Sequence, residues 1–345
     1  MAISIIGHFG GKRNFNDGQT IKTRTFYSAL NKTKVAKVHK VDTYYIKKNP
    51  FLFIYQLLRT LFADKRVVVL LSSNGRKFLF PILCFWSKRF KKFVYHYAIG
   101  GRLADEASDN ERLRKRIASF KGNWLENKVN VTRLHEIGVK NAVYVPNFKS
   151  IKPVDLDSVP LITSAPFRFC LFSRVMKKKG VQDAADAIVE INRKSGKTVA
   201  ELDIYGPIDE GYKDAFNQLL EQSPDYIQYK GIVPANESVD VLKDYFMLLF
   251  PTRWFREGMP GTVIDALFSA LPVIASDWAF CREMLEDEKT ALIYDFNQPS
   301  LLIDKIEFAM DHPMKINAMK GNCLDEAENY SEKKVMDFII KEMYR

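Results

Sequence analysis

Apolar positions along this chain come in short, nearly unbroken runs, and the stretches between them carry helical spacing. "AISIIG" (2–7) is the first run, followed by a glycine-bearing loop and a helical pattern beginning near Thr20 in "TIKTRTFYSALNK". "VAKVHKV" (35–41), "RVVVLLSS" (66–73), "KFVYHYAIGG" (92–101) and "AVYVPNF" (142–148) predict four more strands, with helices between them. Strands of this kind are buried on both faces, and their alternation with helices predicts a parallel sheet covered on both sides.

A second series follows a break. Residues 149–166, "KSIKPVDLDSVPLITSAP", are rich in Pro, Ser and Asp, lack any period, and read as a linker. The alternation then restarts, with strands in "FRFCLFSRV", "VAELDIYG", "YIQYKGIV", "FMLLFPT", "PVIASD" and "ALIYDF". Helices are predicted in "VQDAADAIVEINRK", "YKDAFNQLLEQ", "ESVDVLKDY" and "GTVIDALFSA". Length agrees with two domains, because single cores usually stop growing below 345 residues. The expected fold class is α/β: two doubly wound, Rossmann-like parallel-sheet domains, 1–150 and 151–327, facing a cleft. Ligands of such sheets bind at the carboxyl ends of the strands.

Composition sharpens this picture at two points. The four cysteines, Cys84, Cys170, Cys281 and Cys323, have no zinc-ligand or C-x-x-C spacing, which points to a reducing compartment and no structural zinc. No apolar run approaches the roughly 20 residues that span a bilayer, and "MAISIIGHFGG" reads as a strand and not a signal peptide, so a cytoplasmic chain is expected. Charge is split unevenly. Residues 1–150 carry 29 Lys and Arg against 9 Asp and Glu, a net +20, while the remaining 23 basic and 32 acidic residues leave −9. A cationic half suits an anionic partner, whether nucleic acid, lipid head groups or a phosphorylated substrate; the plainer alternative is solubilising charge.

Candidate chemistry gathers in three loops. In "GHFGGKRNFNDGQT" (7–20), Gly10 and Gly11 would let backbone approach a phosphate or sugar ahead of a helix N-terminus, or would serve turn geometry alone. The loop is not G-x-G-x-x-G, and no acidic residue closes the next predicted strand as a ribose ligand, so an NAD site is disfavoured. In "FSRVMKKKGVQDAADAI", Arg174 ends a strand, Lys179 lies five residues on, and Gly180 opens a helix. Two cations at a helix N-terminus suit a diphosphate, although loop lysines are more often merely solvated. In "PTRWFREGMPGTVIDALFSALPVIASDW" (251–278), Pro260 and Gly261 start a helix, Glu257 precedes it and Asp265 lies about one turn inside. These carboxylates could accept sugar and ribose hydroxyls; the bland alternatives are a solvated loop residue and a helix-dipole charge.

The order "FSRVMKKKGVQDA", then "LDIYG", then "YKGIV", then "FMLLFPTRWFREGMPGTVIDALFSALPVIASD" resembles the retaining glycosyltransferases of family four, with the GT-B fold. The resemblance covers most of the C-terminal half and continues more weakly in "VTRLHEIGVKNAVYVPNF" and "YHYAIGG". It implies that Arg174 and Lys179 neutralise a donor diphosphate and that Glu257, first acid of the E-x7-E motif, holds the donor sugar. Asp265 stands where the second Glu, the ribose ligand, belongs, and is one methylene shorter. Thr262 and Val263 match backbone donors to phosphate, and Gly10 and Gly11 match the N-domain glycine loop. His96 matches a histidine that reaches the donor, or is a packed histidine among aromatics, and Ile232 sits where backbone meets the nucleobase. A helix at about 328–345 is expected to pack back on the first domain.

The implied reaction moves a sugar from a nucleotide diphosphate sugar, UDP favoured, to a glycan acceptor with anomeric retention, in capsule or exopolysaccharide assembly. No cofactor is implied beyond the nucleotide-sugar co-substrate. No metal is implied either, since "DLD" at 155–157 falls in the linker. "KKNPFLFIYQLLRTLFADKR" (47–66) and "FLFPILCFWSKRFKKF" (78–93) interleave aromatics with cations. They suggest peripheral docking on an anionic membrane, at the inner face of the cell membrane, beside an undecaprenyl-diphosphate-linked acceptor. Alternatively their apolar residues pack on the sheet. Nucleic acid is disfavoured, as no binding module is present. Two rival functions remain: a GT-B nucleotide-sugar epimerase, and a non-catalytic GT-B partner of another transferase.

Overall fold

The computed structural model describes residues 2–13 and 17–345. The chain forms two compact units, Met1–Ser150 with Glu332–Arg345, and Ile151–Ser331. Each is built on a six-stranded, wholly parallel sheet flanked by helices. The first sheet contains β1 (Ala2–Gly7), β2 (Lys37–Asp42), β3 (Arg66–Leu70), β4 (Phe93–Tyr97), β5 (Gly122–Leu125) and β6 (Ala142–Tyr144), in spatial order β2-β1-β3-β4-β5-β6. The second contains β7 (Phe167–Phe172), β8 (Ala200–Tyr205), β9 (Ile227–Gly231), β10 (Met247–Phe250), β11 (Val273–Ser276) and β12 (Ala291–Tyr294), in order β12-β11-β10-β7-β8-β9.

Strand alternation explains the layering. In the first unit, Ile3, Ile5, Tyr95 and Tyr97 face one side of the sheet, and Ile6, Val69 and Val94 the other, so each face carries its own apolar core. One face is closed by the helix Glu332–Tyr344, which buries Val335, Met336, Ile339 and Met343. Side chains of this size contribute roughly 1.5–3 kcal/mol each as an upper estimate. Arg66 Nε and Tyr95 Oη both donate to Met343 O, at 2.9 and 3.1 Å, and tie the last turn of this helix to the start of β3 and the middle of β4.

Two sequence expectations need correction. β5 was not anticipated: "GNWL" is four residues long and holds Gly and Asn, yet all four positions are buried between β4 and β6. The strand after the glycine loop does end in an acid, Asp42, one residue beyond the predicted run. Its carboxylate is occupied by backbone, accepting from Phe9 N at 2.9 Å, Gly11 N at 2.8 Å and Tyr44 N at 2.9 Å. Asp42 therefore folds the glycine loop down. Residues 14–16 of that loop lie outside the described residues.

Candidate functional site

In the second sheet the chain travels outward one way through β7, β8 and β9 and the other way through β10, β11 and β12. The order reverses between β7 and β10, which pair in parallel. Helices leaving these two strands part to opposite sides, so a crevice opens at their carboxyl ends. The loop after β7 carries Arg174 and Lys179, and the loop after β10 carries Glu257.

These loops touch because Gly180 has no side chain. It adopts φ of +69°, and a Cβ there would stand 2.0 Å from Pro251 O. The close approach brings Lys179 Nζ to 2.5 Å from Glu257 Oε2, both side chains being only 12% exposed. Thr252 Oγ1 donates to the same carboxylate oxygen at 3.4 Å, and the Glu257 N–H closes a turn onto Trp254 O at 2.9 Å. Arg253 braces the loop from behind through a two-point contact with the Asp183 carboxylate, in the first turn of the helix Val181–Ser195. Arg174 is 41% exposed at the end of β7, with Nη1 3.8 Å from Asp209 Oδ2. A weakly held guanidinium of this kind remains able to meet an anion.

The helix Gly261–Phe268 starts at the same edge. Thr262 Oγ1 donates to Phe172 O at 2.6 Å and anchors the helix start to the end of β7. Gly261 and Thr262 N–H, in its first turn, have no intrahelical acceptor, whereas Val263 N–H bonds to Pro260 O at 3.1 Å. Of the two backbone donors expected here, Thr262 suits a phosphate oxygen and Val263 is engaged.

Asp265 differs from expectation. The helix is buried from Val263 to Phe268, and Asp265 is 4% exposed, accepting from Ser238 Oγ at 3.2 Å. The shorter acid is held within the protein, against the start of the helix Ser238–Leu242. Ile232 is exposed just beyond the end of β9.

The remaining candidates belong to the first unit. Gly10 and Gly11 have positive φ, +80° and +59°, in the loop at the carboxyl end of β1. His96 lies inside β4, paired in register with Val69 and Asn123, and is fully buried edge-on against Phe80. Burial, then the Arg76 charge, push its pKa well below the usual histidine range. The imidazole is neutral and packed within a central strand of the sheet, the packed arrangement that the sequence also allowed. Sequence reading also missed a buried ion pair. Lys22 Nζ lies 2.6 Å from Glu126 Oε1, donates to Ala98 O at 2.8 Å and sits 3.6 Å from the Tyr97 ring centre. Its partners are distant in sequence, so no spacing pattern could reveal it.

Two six-stranded parallel α/β units, the second with a cationic and acidic crevice at its strand-order reversal, make up the GT-B fold. Sucrose-phosphate synthase of Thermosynechococcus elongatus superposes with a TM-score of 0.73 at 12% identity, covering 100% of this chain and 99% of that one. Anabaena Alr3699/HepE in complex with UDP and glucose gives 0.72 at 10% identity, with 100% and 99% covered. TarM of S. aureus, in a complex that includes UDP, gives 0.63 at 16% identity, covering 84% of this chain; the chain spans 58% of the TarM length. Residues 166–312 match the family Glycosyl transferases group 1. An uncharacterized 41.2 kDa protein in the cps region of Klebsiella pneumoniae is 22% identical over 318 residues, 90% of this chain and 81% of that protein. Family match and fold together support a GT-B glycosyltransferase.

Proposed function

We propose that the chain is a retaining glycosyltransferase that moves a sugar from a nucleotide diphosphate sugar, UDP-linked in preference, to a glycan acceptor during polysaccharide biosynthesis. The observation that carries this reading is the convergence of Lys179, Glu257 and a helix N-terminus at the β7–β10 reversal. Cleaving the donor builds negative charge on the leaving diphosphate and positive charge on the sugar. Lys179, Arg174 and the Thr262 N–H are suited to the first, and fixed donors in a partly dry site stabilise it without reorganising. Glu257 is suited to accept hydrogen bonds from the donor-sugar hydroxyls, and its charge suits the cationic sugar.

Neither acid acts as nucleophile or general acid in this scheme, and the paired-carboxylate logic of glycoside hydrolases is not invoked. The acceptor oxygen attacks from the face that the phosphate leaves, and the departing phosphate oxygen takes the acceptor proton. Asp265 is a positioning residue here, holding Ser238 and the segment after β9. UDP in the HepE and TarM complexes supports the donor class. The cps-region relative supports the polysaccharide context; an acceptor carried on undecaprenyl diphosphate is part of the proposal.

Glu257→Ala and Lys179→Ala should each lower transfer at least about a hundredfold, the scale expected when a group stabilising transition-state charge is lost. Circular dichroism should remain that of the parent. Full activity in either variant would sink the assignment. Nucleotide release that proceeds equally well without any acceptor glycan would point to an epimerase.

A further inference from the structure

The helix Pro50–Ala63 has two apolar faces. Phe53, Leu57 and Leu61 are buried against the first sheet, as a surface helix requires. Phe51, Ile54, Tyr55, Leu58 and Phe62 repeat at helical spacing on the opposite side and are exposed, Phe51 at 86% and Tyr55 and Phe62 at 63% each. The next long helix, Ser73–Phe90, buries Leu79, Phe80 and Leu83 and exposes Phe78, Phe85 and Phe90, Phe85 at 62%. The two outer faces are continuous, since the Phe62 ring lies 4.6 Å from Trp86, which stacks on Phe90 at 4.2 Å. A helix facing water on one side usually carries mostly polar residues there, whereas the outer faces of these two are largely aromatic and aliphatic, with Arg59, Lys77, Lys88 and Arg89 among them.

Charge identifies what covers them. From residue 43 to 104 the sequence has 12 Lys and Arg and a single acid, Asp64. Asp64 is buried, bonded to Ser4 and His39 and felt by Lys92, whose ammonium donates to its carbonyl at 3.1 Å, so it is engaged inside the fold and not among the exposed aromatics. Lys47, Lys48, Arg59, Lys88, Arg89 and Lys91 lie on these helices or just beyond their ends, beside the aromatics. Nucleic acid would match the charge but leave the aromatic faces wet, and an ordinary protein partner would not call for so one-sided a charge. Aromatic and aliphatic side chains with interleaved Lys and Arg match the boundary of an anionic bilayer, where rings enter the acyl edge and cations meet head groups.

We propose that the outer faces of Pro50–Ala63 and Ser73–Phe90 form a docking surface for an anionic lipid bilayer. It deepens the reading above by placing the protein on the surface that would carry a lipid-linked acceptor, yet it can be tested without turnover. The full-length protein should sediment with phosphatidylcholine vesicles containing phosphatidylglycerol, scarcely with phosphatidylcholine alone, and less at high salt. Brominated acyl chains should quench Trp86 fluorescence, and the difference should vanish in Trp86→Phe. Each cation near the surface is worth about 1 kcal/mol, so Lys88→Glu with Arg89→Glu should weaken vesicle binding by at least about tenfold. Phe51→Ser, Phe62→Ser and Phe85→Ser combined should abolish it.

All these side chains except Trp86 are exposed, so nucleotide binding should survive in the serine and glutamate variants and serves as the check on folding. Absent binding to the anionic vesicles, binding unchanged in both sets of variants, or a parent dimer that the serine variant converts to monomer would each overturn the proposal. Vesicle binding without any sugar transfer would instead sink the transferase reading alone, and transfer to a soluble acceptor without vesicle binding would sink the docking surface alone.

Discussion

Lys179 and Glu257 neutralise one another in the ligand-free protein. A diphosphate arriving without its sugar must therefore compete with a carboxylate for the same ammonium. Removing that charge while keeping the side-chain shape should release Lys179 to the phosphates. Glu257→Gln should bind UDP about fivefold more tightly, the roughly 1 kcal/mol of a modest ion pair, while its transfer rate collapses. Calorimetric titration with UDP would measure this, and affinity unchanged or weakened would mean that the pair does not hold Lys179 back. At this scale the sequence was readable where a short motif fixed a residue's place, as for Arg174, Lys179 and Glu257, which lie in loops following β7 and β10. It left two readings open for His96, because a histidine ending "FVYH" reads the same whether the strand is at an edge or buried on both faces, and the structure buries it.

Elements meet at the carboxyl edge of the first sheet through the Lys22–Glu126 pair, which also engages Ala98 and Tyr97. The helix Gly18–Lys32 and the ends of β4 and β5 are thereby joined through one buried ammonium. Burial pushes the Lys22 pKa down, and Glu126 opposes the shift. Losing one partner strands the other charge away from water. Lys22→Met should therefore lower stability by about 3–5 kcal/mol, and Lys22→Met with Glu126→Gln by clearly less. Urea unfolding would decide it, and equal losses in single and double variants would show that packing, not charge, governs the site. Strand positions were legible because buried parallel strands leave apolar runs. β5 was not, since four residues with Gly and Asn carry too little pattern.

For the whole molecule, the residues proposed for the diphosphate and the donor sugar all come from two loops and one helix start in the second unit. Hydrogen exchange with and without UDP should therefore show protection concentrated in residues 173–180 and 251–263. Protection spread evenly over the chain, or confined to the first unit, would contradict the assignment. The opposite net charges of the two halves suit different partners, a nucleotide diphosphate held by a few local cations and an anionic surface met by many.

By itself the sequence determined the α/β class, every parallel strand but β5, and the positions of the basic pair and its loop acid after strands. Each of these is written in local periodicity or in a short motif, and local chemistry survives being read one residue at a time. Tertiary structure alone decided which side of each helix meets water, and so showed that Phe51, Phe62 and Phe85 are exposed. It also turned Asp265 inward onto Ser238, sealed His96 inside the sheet and brought Lys179 within 2.5 Å of Glu257 across the space that Gly180 leaves. These outcomes depend on residues far apart in the chain competing for the same small volumes, and no window along a sequence contains that competition.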